Sequence, residues 1–267
     1  MSEFFTSKNT SAFIGMIHLK ALPGSPNWQG SMQDIIDLAM QDAEYLLEGG
    51  CDALIVENMN DLPYLKGYVY PETIAAMSIV VEHIMSLKAY TGIQVLAGAN
   101  KEALAIASVT GASFIRAEGF AYAHVADEGW IDACAGELLR TRKSLSANVQ
   151  IWADVQKKHA AHTITNDVPL SDLAKGTKFC GADALVVTGT STGEETSLDD
   201  IKKVKLAQLP TIVGSGVTNK NIQNLAKYAD ALIVGSWLKK DGNWTNPVSL
   251  NRVKTLKKLL NNTEKLK

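Results

Sequence analysis

Apolar residues along this chain fall into two alternating patterns. Short unbroken runs are rich in Val, Ile, Leu and Ala; between them lie longer stretches whose apolar positions return every three or four residues. The first pattern marks a strand buried on both faces, the second an amphipathic helix. One phrase carries the alternation: Gly50-Cys51-Asp52-Ala53-Leu54-Ile55-Val56, then Gly181-Ala182-Asp183-Ala184-Leu185-Val186-Val187, then Tyr228-Ala229-Asp230-Ala231-Leu232-Ile233-Val234, and more loosely Gly111-Ala112-Ser113-Phe114-Ile115-Arg116. Each copy closes a helix-like stretch and opens an apolar run. Five residues beyond the Asp, or beyond Ser113, stand Glu57, Glu118, Thr188 and Gly235. Before that offset the copies are interchangeable; at it they differ in chemistry. A repeated framework with varied strand ends is how a barrel of parallel strands separates stability from function.

The runs predict strands over residues 13–18, 53–57, 93–97, 113–118, 149–154, 184–188, 211–214 and 231–235. Helical patterns cover 32–47, 72–90, 101–109, 131–145 and 198–206. Eight strand–helix units in 267 residues match one α/β domain, a (β/α)8 TIM barrel. A doubly wound sheet would need fewer strands, and no Gly-x-Gly-x-x-Gly follows the first one. The predicted organisation is a flexible tail over 1–12, a barrel over 13–260 and a polar tail over 261–267. Loops entering strands are tight, as at Gly49-Gly50 and Cys180-Gly181. Loops leaving them are long: 19–31, 58–71 with Tyr64, Tyr68 and Tyr70, and 156–170 with Lys157, Lys158, His159 and His162. That asymmetry predicts a functional face at the C-terminal strand ends.

Hydrophobic residues make up 46% of the chain and charged residues 20%, enough for a large core. A net charge of −2 gives no electrostatic case for nucleic acid or an anionic membrane. No run reaches transmembrane length, and the first dozen residues lack a signal-like apolar core, so a cytoplasmic protein without membrane insertion is expected. Cys51, Cys134 and Cys180 have no metal-type spacing and read as free thiols in a reducing compartment.

The clearest chemical signal is for phosphate. Thr211-Ile212-Val213-Gly214-Ser215-Gly216-Val217-Thr218 is a strand ending in Gly-Ser-Gly with a helix pattern from Asn219, and the last strand ends at Gly235-Ser236. Glycines let backbone N–H groups approach an anion, and barrels commonly hold phosphate after their seventh and eighth strands. The hydroxyl-rich stretch from Thr188 to Gly193 extends the same rim. Ionisable residues close other strands: His18, Glu57, Glu118 and Asp154, with Arg116 on the same face as Glu118 by period-two alternation. An internal salt-bridge network is one reading; acid–base chemistry is another, because carboxylates crowded near an arginine can have their pKa values driven apart. A divalent metal on Glu57, Asp154 and His18 is a third, though no spacing demands one. Lys20, Lys157 and Lys158 lie just past strand ends, where a lysine is solvated, neutralises an anion or forms a Schiff base.

At Met16-Ile17-His18-Leu19-Lys20-Ala21-Leu22-Pro23-Gly24-Ser25-Pro26 the chain resembles the BtpA family. The likeness continues through Val56-Glu57-Asn58, Phe114-Ile115-Arg116, Ala153-Asp154-Val155 with Lys158-His159, Val213-Gly214-Ser215-Gly216-Val217-Thr218 and Ile233-Val234-Gly235-Ser236. The chain departs from the family pattern after the third strand, where Ala97-Gly98-Ala99-Asn100 replaces a more polar segment, and at Glu118, where Asn is common. The resemblance implies a ribulose-phosphate-binding barrel. It also implies either an enzymatic role on a sugar phosphate or, from the photosystem I biogenesis factor that names the family, a non-catalytic assembly role. The resulting expectation is an isomerase, epimerase or lyase acting on a small phosphorylated metabolite. His18, Glu57, Arg116, Glu118 and Asp154 are its catalytic candidates. Lys20, Asn58, Asn100, Thr188, Gly214, Ser215, Gly216, Gly235 and Ser236 are its substrate- and phosphate-binding candidates. The alternatives are an assembly or stabilising factor and a metal-dependent hydrolase; the chain is expected to form a homo-oligomer.

Overall fold

The computed structural model describes residues 3–6, 10–189 and 195–263. Eight parallel strands close into one barrel in chain order: β1 (Ala12–His18), β2 (Ala53–Glu57), β3 (Thr91–Gln94), β4 (Phe114–Ala117), β5 (Gln150–Asp154), β6 (Ala184–Val187), β7 (Thr211–Val213) and β8 (Ala231–Val234). Closure comes from β1, which pairs with both β2 and β8. The helices that follow them are α1 (Met32–Glu48), α2 (Pro71–Met85), α3 (Asn100–Thr110), α4 (Ala135–Ser144), α5 (Leu170–Phe179), α6 (Leu198–Lys205), α7 (Ile222–Ala226) and α8 (Leu250–Asn261). The fold is the (β/α)8 barrel expected from the alternation. No helix among the described residues is long and apolar enough to cross a membrane.

The repeated Asp has a structural role. Its carboxylate accepts from the backbone N–H of an earlier strand: Asp52 from Phe13 at 2.8 Å, Asp183 from Ile151 at 2.8 Å and Asp230 from Thr211 at 2.9 Å. The backbone N–H of each Asp donates in return to the carbonyl of the same residue, over 2.7, 2.9 and 2.7 Å. A charged acceptor strengthens such a bond, so each repeat staples a strand start to its neighbour. Ser113 keeps only the backbone half, donating to the Thr91 carbonyl at 2.7 Å.

Period two then sorts the side chains. One set faces the helices in the larger core. The other fills the barrel, where Phe114 and Trp152 stack with centroids 3.5 Å apart among Ile14, Ile55, Val186, Ile212 and Ile233. The bottom is closed by a segment expected to be a flexible tail. Residues Glu3–Thr6 form a helical turn, with Phe5 buried 5.3 Å from the Trp152 ring and Phe4 stacked on Tyr90 at 4.4 Å. Two aromatic side chains close to the exposed end of an aromatic-filled barrel gain more by covering it than by remaining in water. At the other terminus the last helix runs to Asn261 and Thr263 is buried; residues 264–267 lie outside the described set.

Three element boundaries also change. The third strand is Thr91–Gln94 rather than 93–97, and α2 ends at Met85, short of residue 90, where Ser86 caps it and Lys88 turns with φ 56°. The helix expected over 131–145 starts only at Ala135. Gly129–Ile131 instead pairs antiparallel with His124–Ala126, to which Ala160–Ala161 adds a third strand. Burying Ile131 and His124 beside the barrel mouth outweighs the local helical pattern.

Candidate active site

The barrel interior turns from apolar to polar one layer above Met16, Ile55, Phe114 and Trp152. Continuing the same alternation places His18, Glu57, Gln94, Arg116 and Asp154 inward at the C-terminal end. Arg116 and Asp154 form a buried fork: Nε lies 3.2 Å from Oδ1, and one terminal nitrogen lies 3.1 Å from Oδ1 and 3.3 Å from Oδ2. The other terminal nitrogen donates to the Gly214 carbonyl at 3.4 Å. A Cβ on Gly214 would stand 2.5 Å from Val186 and 3.0 Å from both the guanidinium and Thr188, so glycine here makes room for Val186 and for Arg116 together. Burial lifts the Asp154 carboxyl to about 6 while Arg116 opposes that shift; the fork geometry is that of an ionised pair. Asp154 lies outside both central cavities. Expected as an acid or base, it occupies the place of a support that aims Arg116.

His18 and Glu57 form the other buried couple, with Nε2 and Oε2 3.5 Å apart. Burial, then the charge of Lys239, lowers the imidazole to about 3. Burial raises Glu57 to about 7, against the pull of Lys158 and Arg116. At neutral pH the contact therefore joins a neutral ring to a half-protonated carboxyl. His18 Nδ1 lies 3.3 Å from the Trp244 carbonyl. A carbonyl only accepts, so Nδ1 carries the proton and Nε2 is free to accept one from Glu57. A carboxyl poised near neutrality beside a fixed tautomer is suited to proton transfer. Gly235 serves this pair as Gly214 serves Arg116, because a Cβ there would lie 3.1 Å from the His18 ring.

These groups border a cavity of ≈ 200 Å³ whose opposite wall is made by residues 214–218 and 235–237. Gly216 adopts φ +72°, which a side chain would strain. Asn221 braces the turn from outside, accepting from the Thr218 N–H at 2.8 Å and donating to the Gly216 carbonyl at 2.8 Å. Among the described residues, the backbone N–H groups of Ser215, Gly216 and Val217 donate to no protein acceptor. Ser215 Oγ accepts from the Gly189 N–H at 3.1 Å. The helix expected from Asn219 begins at Ile222, so loop amides form this wall. The hydroxyl-rich stretch 190–193 lies outside the described residues.

A second cavity of ≈ 290 Å³ shares Glu57, Met59 and Lys158 with the first and adds Tyr64, Gln94, Glu118 and Lys157. Gln94 donates to Glu118 at 3.3 Å, and Lys157 lies 3.7 Å from Glu118 and 2.7 Å from Glu128 of the small hairpin. Lys158 makes no ion pair or hydrogen bond among the described residues. It is the largest addition to the sequence-derived site, where it appeared only as one of three loop lysines.

Other candidates fall elsewhere. Asn58 is wholly buried and ties β2 to the end of β3: its Oδ1 accepts from the Leu96 N–H at 2.7 Å and its Nδ2 donates to Asp61 at 3.0 Å. Its amide thus serves as a brace between the two strand ends. Asn100 points away from the two central cavities, donating to the Glu118 carbonyl at 2.7 Å and to Cys134 Sγ at 3.2 Å. Lys20 is exposed on an outer hollow between Trp28 and Trp244, and Thr188 donates to the Gln156 carbonyl at 3.3 Å behind the Gly214 wall. The donor set expected for a metal hydrolase is not assembled, because Asp154 is engaged by Arg116. Among the described residues no three His, Cys, Asp or Glu side chains are grouped to hold an ion.

Comparison with known proteins places this architecture. The chain is 44% identical over 269 residues to an uncharacterized mitochondrial protein of Caenorhabditis elegans, covering 98% of this chain and 96% of that one. It is 38% identical over 257 residues to the photosystem I biogenesis protein BtpA of Synechocystis, covering 95% and 89%. Among solved structures it matches a ligand complex of KGPDC from Streptococcus mutans with TM-score 0.59 and 14% identity, covering 94% and 97%. It matches 3-hexulose-6-phosphate synthase with TM-score 0.57 and 15% identity, covering 93% and 99%. The structural matches establish the barrel. With the BtpA family model matching residues 9–262, the chain belongs to the BtpA family.

Proposed function

We propose that the protein is an enzyme acting on a small phosphorylated sugar-like compound by proton transfer next to a carbonyl, as an isomerase, epimerase or carbon–carbon lyase. The observation that carries this reading is the pairing of two walls across one cavity. On one, three consecutive backbone N–H groups lack acceptors among the described residues; on the other stand Glu57, with its pKa raised to about 7, and neutral His18. Free amides in a glycine turn suit a phosphate dianion. Glu57 is the base that takes a proton from carbon and returns it, Arg116 stabilises the enolate oxygen, and His18 orients the Glu57 carboxyl by accepting from it. The name of one structural neighbour, a hexulose-6-phosphate synthase, agrees with such a substrate class. A purely structural assembly role would leave the tuned Glu57–His18 couple without a purpose. A thermal-shift panel of phosphorylated sugars tests the proposal. A ligand at a hundred times its Kd stabilises the fold by about 2.7 kcal/mol. No midpoint change with any pentose, hexose or triose phosphate counts against it.

A further inference from the structure

The proposed phosphate site leaves open how a carbonyl substrate is activated, and Lys158 bears on that question. Among the buried or half-buried lysines of the site region, Lys157 is tied to Glu128 at 2.7 Å and Lys239 to Asp42 at 2.6 Å. Lys158 borders both central cavities together with Glu57, yet has no ion-pair or hydrogen-bond partner among the described residues. We propose that Lys158 forms an imine with the carbonyl carbon of a phosphorylated aldose or ketose held by residues 215–217, an inference that rests on the phosphate reading above. Burial, reinforced by the Arg116 charge, lowers the Lys158 pKa despite the nearby carboxylates, and the neutral amine is the nucleophile.

The chemistry balances within the site. The amine nitrogen bonds to the carbonyl carbon, and the C=O π pair moves to oxygen, which takes the Glu57 proton. The Glu57 carboxylate removes a proton from the new ammonium and returns it to the hydroxyl, which leaves as water. The net change is carbonyl, amine and Glu57 carboxyl to iminium, water and Glu57 carboxylate, without oxidation or reduction. The iminium acidifies the adjacent carbon, and the carboxylate is then the base that takes its proton.

The test traps the imine. Purified protein is treated with glycolaldehyde phosphate and sodium cyanoborohydride, whose hydride reduces the iminium to a stable secondary amine, and modified lysines are mapped by peptide mass spectrometry. Lys158 is expected to be labelled above exposed Lys20 and Lys101 by about ten-fold or more, with excess inorganic phosphate suppressing the label. Lys158→Arg should lose the label while melting as the parent does, and Lys157→Arg should retain it. Glycerol 3-phosphate, which has no carbonyl, should still raise the melting temperature. That rise without Lys158 labelling overturns the imine and leaves the phosphate reading intact; neither a rise nor a label overturns both.

Discussion

Replacing Glu57 with Gln should alter the pH dependence of stability in a way a packing residue would not. The carboxyl rises from an ordinary value of 4.5 to about 7 because it is buried. Its folded value therefore lies above its unfolded value, and the native state holds the extra proton between them. The associated stability is fully present below about pH 4.5 and is lost as pH rises through about 7. At 1.36 kcal/mol per pH unit, that window corresponds to a loss of about 3 kcal/mol. Gln keeps the shape and does not titrate. The difference between variant and parent should therefore drift by about 3 kcal/mol in favour of Gln between pH 5 and 8. For a domain of this size the drift amounts to about 5 °C in Tm. His18, lowered to about 3, contributes with the opposite sign, gaining stability as pH rises toward its ordinary value; it is present in both proteins and cancels to first order. Urea unfolding of both proteins at pH 5, 6, 7 and 8 gives the comparison. Parallel curves would show that Glu57 is solvated and ordinary, removing the physical basis for its role as acid and base. If the curves diverge as expected, turnover of a substrate found in the ligand panel should fall by about 10²-fold or more in the variant.

Three further outcomes follow from the geometry. Arg116→Ala leaves Asp154 buried without its partner and should cost about 3–5 kcal/mol; an unchanged urea midpoint would mean the fork is loose. Gly216→Val strains a positive φ and blocks the turn, so a variant shown to be folded by circular dichroism should bind phosphate esters at least about ten-fold more weakly by calorimetry; equal affinity would move the anion site elsewhere. Phe5→Ala uncovers the aromatic stack at the barrel bottom and should destabilise by about 3 kcal/mol; a melting curve matching the parent would return residues 3–6 to the status of a tail.

Much of this protein was legible in its sequence because the signals are local. Buried parallel strands must be continuously apolar, helices must return their apolar positions every three or four residues, and the repeated Asp marks each strand start whose N–H it binds. Alternation alone set Arg116 on the same face as Glu118, and the common offset set Glu57, Glu118, Thr188 and Gly235 at one rim. Roles within that rim were not legible. Asp154 and Glu57 are both carboxylates ending apolar strands; only the pairing of neighbouring strands brings Arg116 to one and His18 to the other. Asn58 matched a family motif, yet its amide is taken up by the backbone at residue 96, and residues 3–6, polar in context, cover the barrel because Trp152 and Tyr90 lie there to be covered. Gly214 and Gly235 showed their flexibility in sequence, whereas the reason for glycine at each, the space taken by Val186 and Arg116 at one and by His18 at the other, belongs to other strands. Sequence thus determined which residues reach the mouth, since that depends on periodicity along one strand. Tertiary structure decided which of them are paired, desolvated or left free, since charge and burial depend on neighbours brought together only when the eight strands close.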